Sequence, residues 1–315
     1  MKWLILSAAL TLSCSAPLAS ASDAKAYYDQ LFDGNRLDIT IALSFEQKKG
    51  PAGLPPVIID ISDALKAPFR DDENTMHDVD LLEGSIIGCE DCAYSKQSSG
   101  LGYRIYTGSF QYGKKTIQSR LQLIFSEPGV AISTLRQSFI QALANDAVVL
   151  YLGHSRHGDG FPDFAGPLAD DGKIFVNDPV QGWTGFQKGY FARKKYQLLI
   201  LNACQTQTYY QKPLRKLIWE KDPATLGVIM SADNTWFEDY PDTTLALLNG
   251  LVHQQSREDL LQSLDDAASY YRQLHMNDAK KISLFVGDGL FDATYAKKPA
   301  PKAKQPAPPW VDMPF

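Results

Sequence analysis

Two apolar runs in this chain each end in a side chain capable of nucleophilic or acid–base chemistry. Residues 147–153 are followed by His154, and residues 198–203 are followed by Cys204. Runs of this length and aliphatic content are typical of parallel strands in a sheet covered on both faces. Open α/β sheets place their active sites at the carboxyl ends of such strands. We therefore predict that Cys204 is a nucleophile and that His154 is its base.

The first 21 residues have the three parts of a secretory signal. A basic start at Met1-Lys2 precedes an apolar stretch at 3–12 and a small-residue cleavage site at 19–21. We expect the mature chain to begin at Ser22 and to be periplasmic or secreted. A lipoprotein anchored at Cys14 is a second interpretation, but the residues before Cys14 fit that pattern poorly. No later segment has the length of a transmembrane helix.

Size and charge limit the classes of function. Removing the signal leaves about 294 of the 315 residues, enough for a well-buried core in one large or two modest domains. The chain has 31 basic and 36 acidic residues, with no basic block outside its tail. Nothing in this balance indicates nucleic acid as a partner. The sequence does not indicate an oligomeric state.

The cysteine count favours one disulfide and one free thiol. With Cys14 in the signal, three cysteines remain, namely Cys89, Cys92 and Cys204. An odd number in an exported protein predicts a single bridge, and Cys89 and Cys92 can close a short local loop. A redox centre is disfavoured because the residues after Cys92 do not continue as a helix. A zinc site would lack a second ligand pair, so no metal is predicted.

The pattern of predicted secondary structure changes near residue 115. Residues 22–114 are predicted to be strand-rich, with the acidic stretch 71–74 as a solvated loop. From 115 to 295, strands alternate with helices, which is typical of an α/β fold with a mostly parallel sheet. Residues 296–315 form a Pro/Lys/Ala-rich tail. Besides the His154 and Cys204 strands, we predict strands at 116–125, 227–231 and 282–286, and helices at 131–145, 209–219 and 243–274, the last interrupted at 253–256.

An apolar strand ending in Gly-His, followed about fifty residues later by one ending in Asn-Ala-Cys, resembles the caspase-like cysteine peptidases. This group includes caspases, gingipains, clostripain, separases and the CHAT domains. The resemblance covers residues 115–286 and its motifs are short. It implies a caspase-haemoglobinase fold, a three-layer αβα sandwich. It also implies hydrolysis of peptide bonds in a polypeptide substrate by a Cys204/His154 dyad without a cofactor.

The chain departs from the family pattern after the histidine. The family usually has a glycine there, whose N–H joins that of the cysteine in holding the oxyanion; this chain has Ser155. The resemblance thus implies an oxyanion hole built from the backbone N–H groups of Cys204 and Ser155. His157 with Gly158 is the alternative, since it restores the His-Gly pair. We favour His154 because a strand end holds a side chain more rigidly than a loop does.

The sequence gives less information about substrate specificity. In several relatives an acidic residue two positions before the cysteine selects a basic P1 side chain, but here that position is Asn202. Asn202, Asp233 and Trp236 are candidate substrate-binding residues, although a turn role for Asp233 and a packing role for Trp236 are the simpler interpretations. An alternative function is a catalytically inactive caspase-like domain that serves as an exported binding or scaffold module. Ser155 is the feature that favours it.

Overall fold

The computed structural model describes residues 21–44, 47–48, 57–58, 72–127, 129–155, 191, 193–221, 225–269 and 283–291, and the statements below concern these residues. The strands are β1 (Arg36–Leu43), β2 (Gln47–Lys48), β3 (Val57–Ile58), β4 (Ser95–Gly100), β5 (Tyr103–Tyr112), β6 (Lys115–Phe125), β7 (Val148–Gly153), β8 (Gln197–Ala203), β9 (Leu226–Ser231) and β10 (Phe285–Asp288). The α-helices are α1 (Ala21–Leu31), α2 (Asp72–Ile87), α3 (Ile132–Asn145), α4 (Thr206–Lys221), α5 (Tyr240–Val252) and α6 (Arg257–Ala267).

One eight-stranded sheet organises the described chain, in the order β10-β9-β8-β7-β1-β6-β5-β4. Its five central strands, β9, β8, β7, β1 and β6, are parallel. At one edge β10 is antiparallel to β9, and at the other β5 and β4 extend the sheet as an antiparallel meander. Strands β2 and β3 form a separate antiparallel pair. The predicted α/β class with a mostly parallel sheet is thus confirmed.

Helices cover both faces of this sheet. Helices α1, α2, α5 and α6 bury apolar side chains on one face, and α3 and α4 bury theirs on the other. In α3, Leu135, Phe139 and Leu143 follow a helical spacing and are buried. Every residue of β7 and β8 is buried. The apolar character of these two strands follows from their being covered on both sides.

The residues before 115 belong to the same sheet as those after it. Strand β1 lies between β6 and β7, and the predicted boundary at 114/115 falls in the turn of the β5–β6 hairpin. The sheet therefore does not divide at that boundary. The region 22–114 also contains helices α1 and α2. Residues Asp72–Asn74, predicted as part of a solvated loop, instead begin α2.

Two predictions near the end of the described chain are refined. The long helical region is two helices, α5 and α6, and residues 253–256 form the connection as predicted. The Ser256 side chain caps α6 by accepting the backbone N–H of Asp259. The last strand is β10 at Phe285–Asp288, slightly later than the predicted 282–286, and it runs antiparallel.

Several sequence predictions fall on residues that are not described. The signal segment through residue 20 and the tail 296–315 lie outside the described ranges. Among the helices that are described, none combines the length and the apolar character needed to cross a membrane.

We expect Ile41→Ala to lower the free energy of unfolding by about 2–5 kcal/mol, because it empties a fully buried site in the central strand β1. The matched control is Leu101→Ala, at a side chain that is 61% exposed, which should change stability by less than about 0.5 kcal/mol. Urea unfolding followed by circular dichroism measures both. Equal effects would contradict the central placement of β1.

Candidate active site

The pairing of β7 with β8 places His154 beside Cys204. The two strands are parallel and in register from Val148 opposite Leu198 to Gly153 opposite Ala203. His154 and Cys204 are the next residues on each chain. Since hydrogen-bonded strands lie about 4.8 Å apart, both residues leave the sheet side by side at its carboxyl edge. Both are half-buried.

The two side chains belong to the face of the sheet that packs against α5. Side chains alternate along a strand, and Leu152 and Ile200, at the same parity as His154 and Cys204, belong to the core on that face. The His154 ring packs edge-on against Phe237, with 5.3 Å between ring centroids. The Cys204 Sγ contacts the Thr235 carbonyl oxygen at 3.5 Å. The loop between β9 and α5 therefore contacts both members of the pair.

Gly153 is the residue that makes the turn before His154 possible. Its φ is +152°, in a region that side chains rarely adopt. A Cβ at this position would lie 2.7 Å from the Tyr151 hydroxyl and 3.0 Å from the Ser44 Cβ. The Gly153 carbonyl accepts a hydrogen bond from the Tyr240 hydroxyl at 3.1 Å. Both the missing side chain and this hydrogen bond fix the direction in which His154 leaves β7.

Ser155 connects the histidine loop to the cysteine loop. It is buried, and its hydroxyl donates to the backbone carbonyl of Cys204. Its own carbonyl accepts from the Tyr210 hydroxyl on α4. The Ser155 side chain thus bridges the two strand ends directly.

The turn after Cys204 has strained backbone. Gln205 has a φ of +53°, which is uncommon for a residue other than glycine and clusters at functional sites. Its N–H donates to the Asp233 carbonyl at 2.8 Å. Thr206, at the start of α4, donates its hydroxyl to the Leu201 carbonyl and accepts the Ser231 N–H. Cys204 is therefore held in a sharp strand-to-helix turn that is anchored to the end of β9.

Cys204 is the free thiol of the described chain. Cys89 and Cys92 form a disulfide, as predicted, with 5.2 Å between their Cα atoms. Burial raises the pKa of the Cys204 thiol, and the negative charge of Asp233 acts in the same direction. The resting sulfur is therefore protonated at neutral pH. A nucleophilic reaction at this site needs a base that removes the proton as the attack begins.

Asn202 lies in a buried polar network beneath the pair. Its Nδ2 donates to the Thr243 hydroxyl at 3.0 Å, and that hydroxyl donates to the Asp239 carbonyl at 2.8 Å. Asn202 is 2% exposed and Asp239 is 1% exposed. Within the described ranges, no hydrogen bond of normal geometry reaches the Asn202 Oδ1 or either Asp239 carboxyl oxygen.

The Asp239 carboxyl is strongly perturbed. Burial raises its pKa to about 7, the charges of Glu238 and Asp242 add to the shift, and contact with the Trp236 backbone opposes it. Sequence analysis missed this residue. One signal was present, because Tyr240-Pro241 marks the first turn of a helix and Asp239 directly precedes it.

Asp233 and Trp236 both lie in the loop between β9 and α5, half-buried. The Asp233 Oδ1 accepts the Asn234 N–H at 2.8 Å, so this side chain stabilises its own turn. The Trp236 carbonyl accepts the Asp239 N–H at 3.1 Å. The loop brings both residues near Cys204, and their contact with substrate stays a prediction. His157 and Gly158 lie outside the described residues.

Comparison of the chain with protein-family models, with curated proteins and with solved structures finds no match. The fold and the site themselves define an α/β protein with a free thiol and an imidazole at the carboxyl edge of a mostly parallel sheet.

We expect Gly153→Ala to lower the free energy of unfolding by about 1–3 kcal/mol, because the new methyl group meets Tyr151 and Ser44 at an unfavourable φ. Gly84→Ala is the matched control. Gly84 is exposed in α2 with no atom within 4 Å of the added Cβ, so it should stabilise by about 0.5–1 kcal/mol. Urea unfolding distinguishes the opposite signs, and a stabilising Gly153→Ala would contradict the described turn.

We expect Asp239→Asn to flatten the dependence of stability on pH. Because the folded-state pKa is raised, the folded protein binds the proton more tightly, and stability is lost as pH rises from about 4 to about 7. The uncharged variant should be more stable than the parent at pH 8 by on the order of 3 kcal/mol. Urea unfolding at pH 5 and pH 8 measures this. Asp266→Asn, at an exposed carboxyl on α6, should keep the parental slope.

Proposed function

We propose that this chain is an exported caspase-like cysteine endopeptidase that uses Cys204 and His154 as its dyad. The observation that carries the proposal is the parallel pairing of β7 and β8, which brings a free thiol and an imidazole together at one sheet edge and on one face. Acyl transfer by cysteine requires this pairing of a nucleophile with a base.

The fold supports the same function. The resemblance implied an αβα sandwich, and the described sheet is mostly parallel with helices on both faces. The site lies at the edge where open α/β sheets bind their ligands. The sheet includes β1 from the amino-terminal region, so the proposed peptidase unit extends from α1 to β10.

The proposed reaction begins when His154 takes the proton from the Cys204 thiol as the sulfur attacks the scissile carbonyl carbon. The carbonyl oxygen becomes an oxyanion, which the backbone N–H groups of Cys204 and Ser155 stabilise. The C–N bond then breaks, and the His154 imidazolium gives its proton to the leaving amine. Water attacks the thioester and passes a proton to His154, which releases the acid product and restores the thiol.

The surrounding contacts fit these roles. The Thr235 carbonyl contacts the sulfur, and the Phe237 ring holds the imidazole. Ser155 bonds through its hydroxyl to Cys204 and through its carbonyl to Tyr210. Neither of these two bonds uses the Ser155 backbone N–H, which is the group that the oxyanion requires. A disulfide between Cys89 and Cys92 supports an oxidising compartment and hence export.

One observation favours the inactive scaffold as a second candidate function. Burial raises the pKa of Cys204, whereas reactive cysteines commonly have lowered values. In an inactive domain the thiol would be a buried small side chain, and Ser155 would be a structural bridge between two loops. Chemical reactivity of Cys204 in the folded protein separates the two functions.

The deciding experiment is labelling by peptidyl acyloxymethyl ketones with basic, acidic and neutral P1 residues, followed by peptide mapping. We expect one adduct, on Cys204, and none in Cys204→Ala. His154→Ala should slow labelling by about 100-fold or more, since it removes the base. His253→Ala is the matched control, because His253 is exposed and pairs with Asp91, and it should label at the parental rate.

Two outcomes would overturn parts of the proposal. If no probe labels Cys204 in the folded protein, while a small thiol reagent labels it after unfolding, the site is not a peptidase site. If His154→Ala labels normally and His157→Ala does not, the base is His157 instead.

A further inference from the structure

Three consecutive backbone carbonyl groups beside the dyad each accept a hydrogen bond from a tyrosine hydroxyl. The donor and acceptor residues are Tyr240 with Gly153 at 3.1 Å, Tyr151 with His154 at 2.8 Å, and Tyr210 with Ser155. All three tyrosines are buried. Buried hydroxyl groups therefore fix the direction of the backbone at the point where β7 ends and the histidine loop begins.

Two of these tyrosines reach the histidine loop from the face of the sheet opposite to the dyad. Tyr151 and Tyr210 belong to the core on the side of α3 and α4, whereas the side chains of His154 and Cys204 lie on the α5 side. The carbonyl groups of His154 and Ser155 therefore point toward the α3 and α4 side, where their tyrosine donors lie.

A peptide group that is held by its carbonyl oxygen also has a fixed N–H direction. The described peptide bonds are trans, and in a planar trans peptide the N–H points opposite to the C=O. Since Tyr151 holds the His154 carbonyl, the Ser155 N–H points to the α5 side, toward the dyad. Tyr240 holds the Gly153 carbonyl from the α5 side, so the His154 N–H points the other way. Among the residues that the structure describes, none accepts a hydrogen bond from the Ser155 N–H.

We propose that Tyr151 and Tyr210 are positioning residues for the oxyanion hole, an inference that rests on the proposed peptidase function. Tyr151 holds the peptide group that contains the Ser155 N–H, and Tyr210 holds the next peptide group along the chain. Together they clamp Ser155 with its N–H directed at the oxygen of the scissile carbonyl. A donor that is aimed in advance needs no reorganisation when the oxyanion forms, which is the condition for strong stabilisation of a transition state.

The test uses the mature full-length chain and a peptide that it cleaves, found by digesting a peptide library. Two inhibitors with the residues of that peptide up to the scissile bond are compared, one ending in an aldehyde and one in the primary alcohol. The Cys204 sulfur adds to the aldehyde carbon, the aldehyde oxygen becomes an oxyanion, and His154 keeps the thiol proton. The alcohol forms no adduct, so the ratio of the two affinities measures stabilisation of the oxyanion.

We expect Tyr151→Phe to lower kcat and the aldehyde affinity about tenfold each, and to leave KM and the alcohol affinity unchanged. The loss is smaller than for removal of a donor because the N–H remains and is only aimed less well. Tyr210→Phe should lower the same two quantities about threefold, since it releases the neighbouring peptide group. This second variant keeps the inference testable if Tyr151→Phe does not fold. Alkylation of Cys204 by iodoacetamide displaces iodide without forming an oxyanion, and it should keep the parental rate in both variants.

The matched control is Tyr28→Phe. It also removes a fully buried hydroxyl that donates to a backbone carbonyl, that of Gln255 at 2.9 Å, and it should keep the parental kcat and affinity ratio. Urea unfolding should show similar small losses of stability for all three variants.

A parental affinity ratio in folded Tyr151→Phe would overturn the inference. Equal losses of iodoacetamide rate and aldehyde affinity would overturn it too, because they would indicate a general disturbance of the site. Either result in a chain that labels at Cys204 and cleaves peptides refutes the positioning role alone. A parental chain that neither labels nor cleaves refutes the peptidase and the positioning role together.

Discussion

The register between β7 and β8 is the constraint on which the rest of the structure depends. Both strands are buried on both faces, so a slip of one residue would turn each apolar set toward the wrong core. The two cores contain alternate residues of each strand, for example Leu150 on the α5 side and Tyr151 on the α3 side. Hydrophobic packing thereby fixes which face His154 and Cys204 occupy, before either side chain makes any contact of its own.

Buried polar groups at this edge are costly for stability. Asn202 and Asp239 are almost completely enclosed, and an unsatisfied polar group in such surroundings costs about 1–3 kcal/mol. Gln205 adds backbone strain one residue after the thiol. Unfavourable interactions of this kind concentrate where a protein binds or reacts rather than where it only folds. Asn202, Asp239 and Gln205 are the instances next to or beneath Cys204; the described chain also has a buried unpaired oxygen at Gln197 and a positive φ at Ala93, away from the site.

The sequence predicted the parts of the fold that local periodicity encodes. Strands β6 to β9 and helices α3 and α4 lie close to their predicted positions because their apolar runs and helical spacing are strong. Helix α1 was missed although Ala24, Tyr28 and Leu31 have helical spacing and are buried. The Gly- and Pro-rich residues that follow α1 are typical of strand-rich regions, and they favoured that interpretation. The position of β1 between β6 and β7 had no local signal, since strand order depends on contacts distant in sequence.

In the candidate site too, local sequence predicts some residues, whereas others reach the site only through tertiary contacts. His154 and Cys204 could be predicted because each follows an apolar run. That the two lie next to each other was expected only if their strands were neighbours, and β7 and β8 are paired. Phe237 and Asp239 come from the loop before α5, and Tyr240 is the first residue of that helix; nothing in the sequence indicates that this segment approaches the strand ends. Ser155 shows this most clearly. A pattern that expects glycine after the histidine makes the serine look unfavourable for an oxyanion hole. Its hydroxyl instead bonds the Cys204 carbonyl, so the side chain stabilises the two loops whose spacing an oxyanion hole would require.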